Sequence, residues 1–233
     1  NYIVAFGTYT TEFFFDAGEN LLTLEYVDGE IWIDKIRIVP VVRLLDYKSY
    51  VSQLFENGYD FYRGKPIKIQ AEDAVLKSSP SLYPVNDRTS PLSEPYHPYY
   101  VVLNTIGGYA WRFPGQTIIW EIDIPEEGLY KIAFRYKQSY NRGRFSLRKL
   151  TINGKIPFAE VSEIKFPYDT KFNLKYLADE STGEEYSFYL EKGKNTIGLE
   201  VCLGVFGQLI EQVENSLREL NRIYQDIVIV TGT

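Results

Sequence analysis

Apolar and polar residues alternate with a period of two over much of this chain. Ile67-Lys68-Ile69-Gln70-Ala71-Glu72 alternates in this way, and so does Ile119-Trp120-Glu121-Ile122-Asp123-Ile124. The runs from Leu129 to Tyr136 and from Leu150 to Phe158 read alike. A strand sends successive side chains to opposite faces, so these runs predict half-buried strands. Turn signals separate them: Pro125-Glu126-Glu127-Gly128, Asn153-Gly154 and Glu191-Lys192-Gly193-Lys194. Asn-Gly predicts a two-residue hairpin turn, because both positions tolerate positive φ. Many short strands with frequent turns predict an all-β antiparallel sandwich.

A repeat crosses this pattern. Phe14-Phe15-Asp16-Ala17-Gly18-Glu19-Asn20 precedes Leu24-Glu25, and Tyr189-Leu190-Glu191-Lys192-Gly193-Lys194-Asn195 precedes Leu199-Glu200. Gly18 matches Gly193 and Asn20 matches Asn195 at one constant offset. Repeats of this kind mark repeated structural units. Residues 1–40 therefore read as the closing strands of an incomplete first sandwich, and 66–204 as a complete second one.

Two segments switch to helical spacing. After Asp46 as N-cap, Tyr47, Tyr50, Val51, Leu54 and Phe55 share a face, and Gly58 is a natural stop. This helix lies in a linker over 41–65. Over 205–226, Phe206, Ile210, Val213, Leu217, Leu220, Tyr224 and Ile227 follow 4-3-4-3 spacing, the seam of a coiled coil. Its expected partner is the 46–57 helix or another part of the same polypeptide. Residues 205–233 read as this coiled-coil-like helix and its tail.

Composition narrows the chemistry. The chain of 233 residues has one His, one Cys and a net charge of −6. A His/Cys zinc site needs three or four such ligands, so none can be assembled. No intramolecular disulfide is possible. The acidic balance argues against nucleic acid as a partner. No apolar run reaches the roughly 18 residues of a transmembrane helix. The chain begins at Asn1 and contains no Met, which fits an interior piece of a larger protein. Against these shortages stand 20 Tyr, 14 Phe and 3 Trp. Flat aromatics offer apolar area at low entropic cost, which suits the C–H faces of sugar rings.

The candidate ligand residues sit in three loops. Tyr109 and Trp111 follow Gly107-Gly108, and Tyr140 lies between Gln138 and Gly143. Trp111 is either a stacking ring or rim packing, whereas Trp120 and Trp32 read as core. Arg142 and Arg144 belong to a basic cluster with Arg135, Lys137, Arg148 and Lys149. Arginine forks bind carboxylates in bidentate fashion, so an acidic sugar is one reading and a solvated hairpin the other. The proline-stiffened loop from Tyr83 to His97 adds Tyr83, Asp87 and Arg88. Glu94 and His97 there form a weak acid–base pair without a nucleophile. The pairs Glu121/Asp123 and Glu126/Glu127 read as solvated surface rather than a glycosidase pair. No catalytic set is complete. Cys202, within Val201-Cys202-Leu203, reads as an inert buried thiol.

Two stretches resemble carbohydrate-binding modules of families 6 and 35, which have the galactose-binding-like jelly roll. One is Ile69-Gln70-Ala71-Glu72-Asp73-Ala74. The other runs from Gly115 to Tyr136 and contains Trp120-Glu121-Ile122-Asp123-Ile124-Pro125 and Gly128-Leu129-Tyr130-Lys131-Ile132. Ala17-Gly18-Glu19-Asn20 with Ile33-Asp34-Lys35-Ile36 is similar to their closing strands. The resemblance implies a jelly roll, non-catalytic sugar binding, and a structural calcium shared by the opening Glu72 and a closing Asp. The second sandwich lacks that closing strand. The first fragment has Asp34 without an opening strand, so neither shows the full calcium set. Tyr83-Pro84-Val85-Asn86-Asp87-Arg88, Asn104-Thr105-Ile106-Gly107-Gly108, Arg142-Gly143-Arg144-Phe145 and Ile152-Asn153-Gly154-Lys155 resemble large extracellular solute-binding proteins of Gram-positive bacteria, as does Glu219-Leu220-Asn221-Arg222-Ile223-Tyr224. That resemblance implies a lipoprotein-anchored cell-surface location and service to a sugar ABC transporter. The alternative is a β-sandwich spacer or docking surface that binds no sugar.

Overall fold

The structure is a computed structural model and describes residues 15–23 and 43–232. Its helices are α1 (Tyr47–Glu56) and α2 (Val205–Thr231). Its strands are β1 (Leu76–Lys77), β2 (Pro84–Val85), β3 (Thr105–Ile106), β4 (Thr117–Ile124), β5 (Gly128–Lys131), β6 (Ala133–Gln138), β7 (Phe145–Ile152), β8 (Ile164–Pro167), β9 (Asp169–Tyr176), β10 (Ser187–Leu190) and β11 (Gly193–Val201). The class is all-β, a jelly-roll-type sandwich with two helices, as the alternation and the resemblance led us to expect.

One sheet runs β1-β4-β11-β7-β8, with every pairing antiparallel. In β4, Ile118, Trp120, Ile122 and Ile124 point inward and are buried. Opposite residues in an antiparallel pair share a face, so the register extends this inner row across the sheet. Ile197 lies opposite Ile152, Leu199 opposite Leu150, and Val201 opposite Arg148. Arg148 in turn lies opposite Ile164. A guanidinium thus stands between two apolar side chains on the inner face.

The facing layer pairs β5 with β10 and β6 with β9. The two pairings meet at Ile132, whose carbonyl accepts the Leu177 N–H at 3.0 Å. Residues 178–185 leave the layer there and return at Tyr186, whose N–H bonds the Leu177 carbonyl at 2.8 Å. Phe134 and Tyr136 face inward and meet the core ring of Phe166 at 6.1 and 4.9 Å. Gln138, two residues on, is buried. Arg135 and Lys137 take the outer face and lie over Phe172.

The stretch read as a helical linker is packed onto the sandwich. The Ala159 N–H bonds the Leu45 carbonyl at 2.8 Å, and the Glu160 carboxylate accepts the Tyr47 N–H at 3.0 Å. The hydroxyls of Tyr47 and Tyr50 accept the N–H groups of Ser187 and Tyr189, both at 3.0 Å. Residues 60–62 then run parallel to β5, with Tyr62 N–H on the Leu129 carbonyl at 3.1 Å. This covers a strand edge that would otherwise be open to pairing.

α2 departs from expectation in its partner. Phe206 meets Phe145 at 6.5 Å, but further along the seam the side chains stand in the open, with Leu220 61% exposed. α1 packs Tyr47, Tyr50 and Val51 against the core of the sandwich.

Of the proposed first sandwich, residues 15–23 are described and the remainder, with Trp32 and Asp34, lies outside the described residues. The described part contains the repeated turn. Asn20 Oδ1 accepts the Asp16 N–H at 3.2 Å, while Nδ2 donates to the carbonyls of Asp16 (2.8 Å) and Gly18 (3.2 Å). Asn195 makes the same three bonds, to Glu191 N–H (3.2 Å), Glu191 carbonyl (2.7 Å) and Gly193 carbonyl (3.0 Å). Gly18 and Gly193 have φ of 121° and 93°, which only glycine adopts readily. The sequence repeat is therefore a repeated asparagine-clamped turn. Asn195 is 1% exposed and also accepts from Asn153 Nδ2 at 3.0 Å. Asn195→Ala should cost about 2–4 kcal/mol, since it strands several buried partners, while Asn20→Ala on the exposed copy should stay within about 0.5 kcal/mol. Urea unfolding of both variants checks this; equal costs at the two sites would refute it.

Candidate functional site

Two buried glutamines hold the loops that carry the candidate aromatics. Gln116 Oε1 accepts the N–H groups of Arg112 and Phe113, both at 3.0 Å. Gln138 Oε1 accepts those of Tyr140 (3.1 Å) and Asn141 (2.9 Å). The side chains substitute for turn bonds that the backbone does not supply, so the loops are pinned at their roots. Sequence reading gave neither glutamine a role. A lone Gln at a strand end carries no distinguishing pattern.

The pinned loops bring Tyr109 and Tyr140 together. Their ring centroids are 5.5 Å apart with a 51° tilt, and the residues are 58% and 68% exposed. The Arg112 guanidinium lies 3.7 Å from the Tyr109 ring centre. Arg112 was also missed by sequence reading, although its place directly after Trp111 is a usable signal. Two open aromatic faces beside a cation form an amphipathic platform.

Trp111 is placed differently from the exposed stacking ring that sequence suggested. It is half-buried against the core, and its indole N–H donates to the Gln116 carbonyl at 3.1 Å. The Arg148 guanidinium covers its ring at 4.3 Å. A Cβ at Gly107 would come within 2.9 Å of the Trp111 ring, so the glycine there, with φ of 101°, lets the indole fold back. Trp111 thus anchors the loop that carries Tyr109.

A broad groove of about 2530 Å³ runs between the layers and reaches these loops. Pockets for small ligands measure roughly 300–1,000 Å³, so the groove as a whole does not define a ligand. Tyr109, Trp111, Tyr140, Arg144 and Asp87 all lie on its lining, and of these Tyr109 and Tyr140 are in ring contact. Arg142, Arg88 and Tyr83 lie outside the lining. Arg142, between the lining residues Asn141 and Gly143, and Tyr83 are exposed, and Arg88 donates to the Tyr100 carbonyl at 3.3 Å.

Asp87 is built into a network. It pairs with Lys137, both side chains being 17% exposed, and accepts from Thr89 N–H at 2.7 Å. Burial alone would raise its carboxyl, but the Lys137 and Thr89 bonds outweigh that and hold it below the usual range. Asn104 locks the loop through the Asp87 N–H (2.8 Å) and carbonyl (2.9 Å). The Glu94/His97 pair is not assembled. Glu94 pairs with Lys68, and His97 Nδ1 accepts the N–H groups of Tyr99 and Tyr100 at 3.2 and 3.0 Å. Glu121 is exposed and pairs with Lys194 at 2.7 Å, as a solvated surface residue would.

Glu72 sits in a short 3-10 turn, Ala71–Asp73, with Oε2 buried and without a hydrogen-bond partner. Burial raises its carboxyl, and Asp73 adds to the effect. Calcium takes six to eight oxygens. Among the described residues no three His, Cys, Asp or Glu side chains converge, and Asp34 lies outside the described residues. Cys202 Sγ faces the Ser162 carbonyl at 3.6 Å, and burial pushes its thiol up to about 11, as an inert thiol requires.

No family model matches the chain. Mannan endo-1,4-beta-mannosidases B and A of Piromyces sp are each 35% identical to it over 94 residues, which is 40% of this chain. The chain spans about one seventh of those relatives, 14% and 13%. Among solved structures, a GH26-CBM35 β-(1,4)-mannanase of Podospora anserina aligns at TM-score 0.42 and 18% identity, covering 60% of this chain and 25% of that one. A family 35 carbohydrate binding module from Clostridium thermocellum aligns at TM-score 0.40 and 21% identity, over 60% of this chain and 88% of the module. A cycloisomaltooligosaccharide glucanotransferase of Paenibacillus sp aligns at 0.41 and 20%, over 66% and 20%.

Proposed function

We propose that this chain is a non-catalytic, carbohydrate-binding-module-like region that holds a polysaccharide on the Tyr109–Tyr140 platform. The observation that carries the reading is that pair of exposed rings, 5.5 Å apart, fixed at the mouth of a groove with Arg112 against one of them. Stacked rings with a nearby fork of donors suit a pyranose, which has an apolar face and a polar rim. The mannanase relatives make β-1,4-mannan the first ligand to try. The motif resemblance supports a wider setting: an extracellular, lipoprotein-anchored solute-binding protein of a sugar ABC transporter.

Affinity electrophoresis against mannan, xylan and polyuronates tests the platform. Wild type should be retarded by at least one of them. Tyr140→Ala and Tyr109→Ala should each weaken binding by about thirtyfold, the scale of an interface hot spot, without moving the melting temperature. Binding that survives both changes, or that wild type never shows, would sink the reading.

A second reading has its own observation. The exposed apolar seam of α2, with Val213, Leu217, Leu220, Tyr224 and Ile227, suits a docking or spacer module that binds other parts of its polypeptide and no sugar. It gains if no polysaccharide retards the wild type.

A further inference from the structure

The apolar seam of α2 is complementary to itself. It runs from Phe206 to Ile227, about 32 Å at 1.5 Å per residue, and its side chains are exposed. A 4-3-4-3 spacing averages 3.5 residues, which keeps the stripe facing one helical neighbour over its whole length. The seam therefore calls for a helix of similar length. α1 has 10 residues and packs Tyr47, Tyr50 and Val51 on the sandwich. Among the described residues only α2 is long enough.

The sizes along the seam choose a direction. Turned antiparallel about a midpoint between Leu217 and Leu220, the seam sets Leu217 against Leu220, Val213 against Tyr224 and Ile210 against Ile227 of the other helix. Each layer pairs like volumes or a small residue with a large one, so facing positions fill space without voids. A parallel, in-register pair would put Tyr224 on Tyr224 and Val213 on Val213, crowding one layer and leaving the other slack. The flanks agree. Leu209 and Ile223 widen the stripe on one side, whereas the other side carries Gly207 and Asn221. Antiparallel helices bring like flanks together, so the apolar side meets itself and the other stays open to water. The charged residues Arg218, Glu219, Arg222 and Asp226 fall outside the stripe.

We propose that α2 is a dimerisation element that pairs with α2 of a second copy of this chain, antiparallel about a two-fold axis. A two-fold interface is self-complementary, with residue i on j and j on i, and the layers above have that property. The exposed apolar side chains of the stripe offer roughly 800 Å² per helix, the area each partner of a standard interface covers. Each chain enters α2 at Val205, so the two sandwiches stand at opposite ends of a rod about 40 Å long.

Sedimentation equilibrium of the 233-residue chain tests the pairing. Wild type should form a dimer with a dissociation constant of about 10 μM or tighter, the weak end for interfaces of this area. Leu220→Glu puts a charge into both central layers of the dimer and should weaken it by about a hundredfold or more. It should leave the melting temperature of the dilute monomer unchanged, because Leu220 lies outside the core. Disulfide trapping with oxidised glutathione, in a Cys202→Ser background, reads the direction. Chains carrying Ile210→Cys and Ile227→Cys should cross-link to each other, and neither should cross-link to itself. Self-cross-linking of either variant, a trimer or tetramer, or a dimer that Leu220→Glu leaves intact would overturn the proposal. So would a wild type that stays monomeric at about 100 μM, which would hand the seam to another part of the polypeptide. None of these results depends on sugar binding, so the platform reading stands or falls separately.

Discussion

Phe158→Ala should cost the fold about 3–5 kcal/mol, the range for deleting a fully buried aromatic ring. Phe158 is 0% exposed and forms the hub of an aromatic cluster. Its ring centroid lies 5.0 Å from Tyr47, 5.1 Å from Tyr50, 5.1 Å from Tyr186 and 5.4 Å from Phe188. Four aromatic neighbours on a pinned backbone cannot collapse into the space, so the cavity term is retained in full. A domain of this kind has roughly 5–15 kcal/mol in total, so the loss would be a large part of it. It should also act at a distance along the chain. Tyr47 and Tyr50 are the side chains by which α1 grips the sandwich, and the next residue, Ala159, bonds the Leu45 carbonyl. Limited trypsin digestion should therefore cut faster at Lys48 within α1 and at Arg63 just beyond it. Phe158→Leu should restore more than half of the loss. A urea-derived change below about 1.5 kcal/mol, with unaltered cleavage, would show that α1 docks independently of this ring.

Trp111→Ala is expected to lower the melting temperature by about 5–10 °C and to weaken sugar binding as well. Its ring is only half-buried, so the packing loss falls below that of a fully buried tryptophan, at about 2–3 kcal/mol, and each kcal/mol moves a domain of this size by roughly 2–4 °C. The indole N–H bond to Gln116 would go, and Arg148 would lose the ring that covers it. Binding should weaken because Trp111 and the Arg112 N–H are both held by Gln116, so losing the indole loosens the turn that carries Tyr109 and Arg112. Trp111→Phe keeps a face for Arg148 and should recover most of the stability. Scanning calorimetry beside affinity electrophoresis separates the alternatives. Lost binding at an unchanged melting temperature would make Trp111 a ligand platform, the role that its loop position suggested.

These two residues show how far a linear reading reaches. Phe158 was legible as an inward position because alternation from Leu150 places it there. Its four aromatic neighbours were not, because they come from α1, β10 and a distant loop. Trp111 was legible as a ring after two glycines. What it touches depended on Arg148, 37 positions further on. The Asn153-Gly154 turn was read correctly in its backbone, with φ of 49° and 75°. The expected hairpin closes with a single pair, Ile152 to Lys155. Pro157 follows with no N–H to continue a ladder, and β7 pairs with β11 and β8 instead.

The sequence by itself determined the all-β class, the inward and outward faces of the main strands, the helical spans and the repeated Gly-Asn turn. Each of these rests on local chemistry: side-chain period, backbone permission at glycine, or a side chain bonding its own turn. Tertiary structure alone decided that 45–62 is packed onto the sandwich and that the α2 seam is open. It also decided that Tyr109 meets Tyr140, and that Arg148 Nε and Gln138 Nε2 are buried without an acceptor. Those outcomes depend on which strands pair and which faces meet across the layers. Contacts between residues dozens of positions apart are set by packing the whole core at once, and no local pattern encodes them.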